Sequence, residues 1–241
     1  WPIPLSSWWR PVWTCAATAV RSAAGPHEAR RPRPFPASRS AAAVRPAEAP
    51  DGRTDVLNWD LMNDGVGNTK NTKSLLLSFK TPPSMAEGVR KTAAESVRAG
   101  LNNILFADRP ETECAAIDAY IQSLEPVPSP FLVDGQLSAA AERGKALFDS
   151  ERTGCSRCHP APLYTDMKMH DVGSRDKYGW ADRFDTPTLV EVWRTAPYLH
   201  GGQYPTIKEL LVEGKHGLGG TRLDGLSPQE IDDLVEFVLS L

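Results

Sequence analysis

The sequence predicts a mostly α-helical protein of two tandem helical domains with long irregular loops, preceded by an N-terminal segment that lacks a core. Three observations support this prediction. The second half contains capped, amphipathic helix patterns, it repeats part of the first half, and the composition changes abruptly at Asp51. A length of 241 residues allows one or two domains. The repeat favours two domains.

The last hundred residues contain two helix signatures that are expected to pack together. Ser138 is placed to cap a helix that ends near Ser150. Residues 227–230 form a Ser-Pro-Gln-Glu capping box with Pro at the first helical position. Apolar residues then recur at helical spacing: Ile231, Leu234, Val235, Val238 and Leu239. Gly144 and Phe148 on the first helix favour a close crossing of the two.

An internal repeat links the two halves of the chain. Residues 72–83 align with residues 186–197 at an offset of 114, and residues 117–124 align with residues 234–241 at an offset of 117. Both halves are therefore predicted to contain the same loop and the same closing helix. The Pro-rich run at residues 126–130 between them cannot be helical.

These features divide the chain into four segments. Residues 1–50 are predicted to be disordered and residues 51–125 to form the first domain. Residues 126–137 are the Pro-rich linker, and residues 138–241 form the second domain.

The first fifty residues have an unusual composition. They contain twelve Ala, nine Pro and seven Arg but only two acidic residues, a formal charge of +5 that leaves −8 for the rest of a chain with a total of −3. A basic arm of this kind suits nucleic acid or a membrane surface, but the absence of periodic apolar residues favours disorder. We interpret the segment as out-of-frame translation of a GC-rich gene, and we expect no nucleic-acid partner.

Neither an export signal nor a membrane span is evident. Residues 1–11 are apolar but are interrupted by Pro and Arg, the chain does not begin with Met, and no hydrophobic core of a signal peptide follows. No apolar run is long enough to cross a bilayer.

The pattern Cys-x-x-Cys-His at residues 155–159 is the attachment signature of c-type haem. Cys155 and Cys158 lie three positions apart, so that each thiol can form a thioether to a haem vinyl group. His159 then lies beneath the iron as its proximal ligand. The sequence therefore predicts one covalent haem c.

Two other uses of this cysteine pair stay open. A structural zinc site needs four ligands, whereas Cys15 and Cys114 stand alone and far from the pair. A redox disulfide of the thioredoxin type should follow a buried strand, and nothing before Gly154 has that pattern.

Two stretches after the haem motif follow a further pattern. Residues 184–189 are Phe-Asp-Thr-Pro-Thr-Leu, and residues 193–202 are Trp-Arg-Thr-Ala-Pro-Tyr-Leu-His-Gly-Gly. Together with the motif, residues 138–241 resemble the C-terminal domain of bacterial di-haem cytochrome c peroxidases and of the related methylamine dehydrogenase maturation enzyme. The resemblance implies two cytochrome c-like domains, whose terminal helices cross above a haem cleft.

The repeat also indicates where a first haem motif should lie. The offset of 114 places it near Ala41, and a few residues of slippage reach Ala49. That stretch contains neither cysteine nor histidine. Residues 51–125 are therefore predicted to be a degenerate cytochrome c-like domain without a haem motif.

The second iron ligand is predicted to be His216. In the resembling peroxidases a Met or Tyr about fourteen residues beyond the counterpart of His200 ligates the iron, and that count reaches Gly214, which has no donor atom. His216 follows two residues later in a glycine-rich loop. His200, Met167 or Met169, or an open position, are the alternatives.

Two further residues are candidates for contact with the cofactor. The guanidinium of Arg194 matches a haem propionate, although a solvated surface charge explains it equally well. Tyr198 is expected to line the haem crevice, where aromatic residues exclude water, or else to pack in the core.

The resemblance implies that the N-terminal haem cleaves peroxide and that the C-terminal haem delivers electrons to it. This chain retains only the second motif, which favours a c-type cytochrome for haem-mediated electron transfer, derived from a peroxidase-like oxidoreductase. A peroxidase-like enzyme that reduces hydrogen peroxide and a haem-based sensor or binding module are the alternatives. The expected redox partner is a small cytochrome, a cupredoxin or a quinol-linked donor. The expected location is the periplasm, because c-type haem is attached outside the cytoplasmic membrane.

Overall fold

The computed structural model describes residues 52–54, 58–59, 70–217, 223 and 225–241. The predicted disorder of residues 1–50 and their interpretation as out-of-frame sequence concern residues outside these ranges. In the described part, no helix is both long enough and apolar enough to pass through a membrane.

The described residues are mainly helical, as predicted. The α-helices are α1 (Ala93–Ala99), α2 (Glu111–Gln122), α3 (Ala139–Phe148), α4 (Ile207–Val212) and α5 (Pro228–Leu239). A π-helix spans Gly100–Ile104, and 3₁₀ turns span Cys155–Arg157 and Val192–Arg194. Two antiparallel pairs of very short strands complete the fold, β1 (Asn58–Trp59) with β2 (Lys70–Asn71) and β3 (Met169–His170) with β4 (Phe184–Asp185).

Helices α3 and α5 cross at Gly144, as the sequence predicts. A Cβ atom at Gly144 would lie 1.9 Å from the Asp233 carbonyl oxygen and 2.9 Å from the Cβ of Phe237, so only glycine permits this approach. One turn later, the rings of Phe148 and Phe237 meet edge to face with their centroids 5.2 Å apart. The predicted pairing of these helices is confirmed.

Polar groups at the helix ends fix this pairing. The Ser138 hydroxyl accepts a hydrogen bond from the main chain of Ala141 and so caps α3, and the predicted capping box begins α5. Across the crossing, Arg143 donates to both carboxylate oxygens of Asp233, at 2.6 and 2.7 Å.

The hydrophobic core of the second half lies where α3, α4 and α5 meet the 3₁₀ turn Val192–Arg194. Its buried members are Ala141, Phe148, Val192, Tyr198, Ile207, Leu210, Leu211, Leu234, Phe237 and Val238. Cys155 and Tyr164 pack against this cluster, so the haem motif lies directly beside the core.

The sequence repeat is accompanied by a repeat of local backbone structure. Residues 114 positions apart share a positive φ, namely Leu77 with Glu191, Met85 with Leu199, and Gly88 with Gly202. The isolated bridge between Ser84 and Arg90 recurs between Tyr198 and Tyr204. Thr92 and Thr206, also 114 apart, cap α1 and α4 through the same side-chain hydrogen bond to the third helical residue.

The closing helices repeat in the same way at the offset of 117. The Ser123 hydroxyl donates to the Tyr120 carbonyl at the end of α2, and the Ser240 hydroxyl donates to the Phe237 carbonyl at the end of α5, each at 2.7 Å. The aligned segments therefore form the same local structures.

The linker between the repeats is not helical, as its prolines require, and it packs along the second half. The main-chain N–H of Val127 donates to Glu191 at 2.7 Å, and the Ser129 hydroxyl donates to the Leu239 carbonyl at 2.6 Å. Arg53, from before the first repeat, also donates to the Glu191 carboxylate, at 2.8 Å. Glu191 thus joins three separate segments of the chain.

Candidate haem site

The Cys-x-x-Cys-His motif forms one tight turn after α3. Gly154, with a φ of 67°, begins the turn. The main-chain N–H groups of Cys158 and His159 then both donate to the Cys155 carbonyl, at 3.2 and 2.9 Å. This turn places the two cysteines and the histidine on one short segment beside the core.

The two thiols of the motif are free in the structure. Burial raises the pKa of Cys155, and burial together with the charge of Asp166 raises the pKa of Cys158. Both thiols therefore stay protonated at neutral pH in the protein without a bound group.

The His159 ring is oriented by a main-chain carbonyl. Its Nδ1 lies 2.8 Å from the carbonyl oxygen of Tyr164, a residue with a φ of 50°. Burial lowers the pKa of His159, against the opposing effect of the Tyr164 and Pro187 carbonyls and the Asp166 carboxylate. With Nδ1 donating to the carbonyl, the neutral ring has its lone pair on Nε2, where a metal ion would need it.

Aromatic rings surround this segment. The centroid of the Tyr164 ring lies 6.0 Å from that of Phe148 and 6.3 Å from that of Phe237, both in edge-to-face geometry. The residue whose carbonyl orients His159 is therefore itself held by the crossing of α3 and α5.

His216 is a half-buried histidine near His159. Burial, with a smaller contribution from the charge on His159, lowers the pKa of His216 to about 4, so the two rings lie within electrostatic reach of each other. Its Nδ1 is buried and finds no hydrogen-bond partner among the described residues. Buried polar atoms are normally paired, so this ring has a bonding capacity that the described residues do not use.

The segment that precedes His216 is firmly anchored. Thr206 and Glu209 form a reciprocal capping box at the start of α4, and the helix buries Ile207, Leu210 and Leu211 in the core. The main chain of His216 donates to the carbonyl of Leu210 at 3.3 Å. Helix α4 therefore holds the loop that carries this histidine.

This donor set fits a haem iron. His159 and His216 are half-buried, and the pKa of each imidazole is lowered, which favours the neutral ring that ligates iron. Cys155 and Cys158 lie on the His159 side, as thioether attachment requires. The structure brings together four of the six residues predicted for the site.

The other two predicted residues have partners within the protein. The Tyr198 hydroxyl donates to the Val192 carbonyl at 3.3 Å, and burial raises its pKa to about 12. Arg194 donates to Glu191 at 2.8 Å and stacks on the Trp193 ring at 5.0 Å. Contact of Tyr198 or Arg194 with a haem stays a prediction.

The three residues predicted as alternative iron ligands have other surroundings in the structure. Met167 is exposed, with a φ of 55°. The Met169 sulfur packs against Gly88, at 2.8 Å from the position that a Cβ atom would take there. His200 lies with Nε2 at 2.7 Å from the Ser174 carbonyl oxygen.

The sequence reasoning missed a polar group beside the haem motif. Ligand atoms of Cys158, Asp166 and His170 lie within 4.8 Å of one another, and His170 Nε2 lies 2.7 Å from Asp166 Oδ2. A thioether at Cys158 removes its thiolate, so haem attachment and metal binding at this group exclude each other. The spacing of Asp166 and His170 was its only signal in the sequence.

Comparison with known proteins places the chain in a family. A RoxA-like, cytochrome c-like family model matches residues 184–216. The gamma subunit of hydrazine synthase from Kuenenia stuttgartiensis is 30% identical, over 79% of this chain and 69% of the relative. Cytochrome-c peroxidase IdrP1 from Denitromonas iodatirespirans is 32% identical, over 44% of this chain and 41% of the relative. The chain belongs to the di-haem cytochrome c peroxidase and MauG-like family. The family predicted from the sequence is thus confirmed, and haem c is its cofactor.

Solved structures of this family share the fold. Hydrazine synthase from K. stuttgartiensis superposes with a TM-score of 0.69 and 27% identity, over 79% of this chain and 78% of that one. A MauG-like protein associated with microbial copper homeostasis gives 0.55 at 20% identity, over 71% and 73%. The chain spans less than half of the length of the curated peroxidase, and 36% of the length of the MauG protein from Methylorubrum extorquens.

Proposed function

We propose that residues 138–241 form a cytochrome c domain that carries one covalent haem and transfers electrons. In this proposal Cys155 and Cys158 would form the thioethers, and His159 and His216 would be the two protein ligands of the iron. The observation that carries it is the buried, unpaired Nδ1 of His216 within electrostatic reach of His159. The confirmed family supports the cytochrome assignment and its derivation from peroxidase-like proteins.

The side chains around the site have distinct tasks in this proposal. A bound haem supplies one-electron chemistry. The Tyr164 carbonyl holds the Nδ1 proton of His159 and so fixes the orientation of the ring. The rings of Phe148, Tyr164 and Phe237 would exclude water from the neighbourhood of His159. His216 would supply the second imidazole and so leave no open position for peroxide.

Two histidine ligands also set the expected redox behaviour. A haem with two histidines has a lower reduction potential than one with histidine and methionine, because thioether ligation raises the potential. The exposure of Met167 and the packing of Met169 on Gly88 support histidine as the second ligand. We therefore expect a low-potential electron carrier.

Peroxide reduction is the second candidate function. Three relatives carry the name cytochrome-c peroxidase, which favours this activity for a longer parent protein. In that case the haem of residues 138–241 would deliver electrons to a peroxide-binding haem, and the chain would be an enzyme only as part of that parent.

We also propose the domain organisation that the repeat suggests. Residues 51–125 form a degenerate cytochrome c-like domain without its own haem motif, and residues 126–137 form the linker to the haem domain. The backbone features shared by the two repeats support this organisation. The lack of cysteine and histidine near residues 41–49 supports a count of one haem.

The proposed location is the periplasm, where c-type haem is attached. The redox partner would be a small cytochrome, a cupredoxin or a quinol-linked donor. The names of the relatives, which include peroxidases and MauG proteins, support a redox partner of some kind.

Spectra of the oxidised, haem-loaded chain test the proposed function. We expect a low-spin signal of two histidine ligands, without the weak long-wavelength absorption band of methionine ligation. A peroxide assay with a reduced donor should show negligible turnover. A methionine band would refute the role of His216, and rapid peroxide consumption would refute electron transfer as the function of this chain.

A further inference from the structure

The turn after α4 returns the chain toward the core and ends at His216. The main-chain N–H of Gly214 donates to the Glu209 carbonyl at 3.1 Å, and that of His216 donates to the Leu210 carbonyl at 3.3 Å. Lys215 between them has a φ of 45°. A left-handed residue after the last helical turn reverses the direction of the chain, which turns His216 inward.

Gly214 is closely surrounded in this turn. A Cβ atom there would lie 2.6 Å from the Leu210 carbonyl oxygen and 2.7 and 2.8 Å from two ring carbons of Tyr204. Hard-sphere repulsion forbids such distances. The Leu210 carbonyl is also the acceptor for the His216 N–H, so a side chain at position 214 would push against the group that holds the histidine.

The equivalent position in the first repeat lacks this close packing. Gly100, which lies 114 positions before Gly214, begins the π-helix, and a Cβ atom there would meet no heavy atom within 4 Å outside its own helix. Arg90 occupies the place of Tyr204, and Asn102 the place of His216. Glycine is thus present at both positions, but only the second packs against an aromatic ring and is followed by a histidine.

We propose that Gly214 and Tyr204 are positioning residues for the iron ligand His216. The missing side chain lets the turn close on the Tyr204 ring and on the Leu210 carbonyl, and the closed turn holds the imidazole inside the protein. This inference rests on the proposed role of His216 and adds the residues that determine whether the ligand reaches the iron.

Substitution at Gly214 should therefore move His216 away from the iron, although the histidine itself stays in the chain. The main chain must move away from Tyr204 and Leu210 to accommodate any side chain. His216 moves with it, and the haem keeps only His159. Carbon monoxide then competes with a His216 that binds the iron more weakly. The apparent affinity of the haem for carbon monoxide rises as the fraction of haem without His216 increases.

The test compares haem-loaded Gly214→Ala with wild type and with the matched control Gly100→Ala. In Gly214→Ala we expect the low-spin signal of two histidines to be largely lost and the carbon monoxide affinity of the reduced protein to rise about tenfold. Added imidazole should restore the low-spin spectrum. Gly100→Ala should match the wild type in both measurements, because its new methyl group meets open space and the helical backbone there suits alanine.

A second variant covers the case in which Gly214→Ala fails to load haem. Tyr204→Leu keeps an apolar side chain but removes the ring that closes the turn, and we expect a several-fold rise in carbon monoxide affinity. Wild-type spectra and affinity in both variants, or in Tyr204→Leu when Gly214→Ala does not load haem, would overturn the positioning role while His216 remains the ligand. A His216→Ala variant with the wild-type spectrum would instead overturn the proposed function, and this inference with it.

Discussion

Residues 75–102 and residues 189–216 share one backbone design but differ in chemistry. Both segments contain left-handed non-glycine residues at two matching positions, one isolated bridge and a threonine-capped helix. The second ends at His216, whose Nδ1 is buried. The first has Asn102 at that position and continues as the π-helix Gly100–Ile104, after which Leu105 and Phe106 are 68% and 87% exposed.

In the proposed function, this difference separates the loop fold from the iron ligand. The left-handed residues and the helix caps need only local hydrogen bonds, which the first repeat also has. The second repeat adds a turn that closes on Tyr204, whereas the first repeat has Arg90 at that place. The proposed cytochrome chemistry therefore rests on a few side chains, placed on a backbone that both repeats share.

Removal of the haem cysteines should have the largest effect and tests whether the second repeat alone carries the cofactor. We expect Cys155→Ser with Cys158→Ser to eliminate covalent haem, because serine forms no thioether. The control Cys114→Ala changes a buried cysteine of the first half and should retain the haem. Mass spectrometry of the denatured chain measures attachment, and haem that persists in the double variant would remove the distinction between the repeats.

Replacement of His216, the predicted iron ligand, and of Asn102, its equivalent in the first repeat, compares the two repeats at matched positions. His216→Ala should raise the carbon monoxide affinity of the reduced protein by roughly a hundredfold, as expected if His216 occupies the iron about 99% of the time. Asn102→Ala, at the equivalent place in the first repeat, should leave the affinity unchanged. Titration with carbon monoxide decides, and equal effects of the two variants would contradict the assignment.

Replacement of Gly144 tests the close crossing of α3 and α5. Gly144→Ala should lower the free energy of unfolding by about 3 kcal/mol, because the new methyl group meets the main chain of Asp233. Gly100→Ala, in open space, should change it by less than about 1 kcal/mol. Urea unfolding measures both variants, and a neutral Gly144→Ala would show that the two helices do not need this close approach.

Replacement of Glu191 gives the smallest effect and sharpens the contrast with Leu77 at the equivalent position. Burial raises the pKa of Glu191, but hydrogen bonds from Arg53, Val127 and Arg194 outweigh it and hold the pKa below its ordinary value. A lowered pKa in the folded state means that the carboxylate stabilises the protein fully above about pH 4.5 and loses this effect as the pH falls further.

We therefore expect Glu191→Gln to lower the free energy of unfolding by about 2 kcal/mol at neutral pH. The difference from wild type should shrink in acid. Glu142→Gln, on the exposed face of α3, is the control and should be neutral. Urea unfolding at about pH 7 and about pH 3 provides the comparison, and a difference that stays constant with pH would contradict a role for the charge.

Much of the helical framework could be predicted from the sequence because its signals are local. Ser138, the capping box of α5 and the apolar spacing behind it all act within a few residues. Gly144 and Phe148 indicated the crossing because a missing side chain and a large ring on one helix face have few other uses. The repeat was detectable because left-handed backbone positions and proline loops constrain the residues that occupy them.

The rest depends on contacts between distant segments, which no local pattern reveals. Glu191 binds both Arg194 and Arg53, and Arg53 lies 138 positions before Glu191 in the sequence. The orientation of His159 depends on the left-handed backbone of Tyr164, and tyrosine rarely adopts that conformation. The sequence indicated that His216 is a ligand candidate, but not the packing at Gly214 that holds it.

The number of covalent haems per chain tests the central claim most directly. The claim is that only the second repeat binds haem, through Cys155 and Cys158. Haem quantification of the purified, haem-loaded protein should give one haem per chain. Two haems per chain would show that the first repeat also carries a cofactor, and a folded chain without covalent haem would contradict the cytochrome assignment itself.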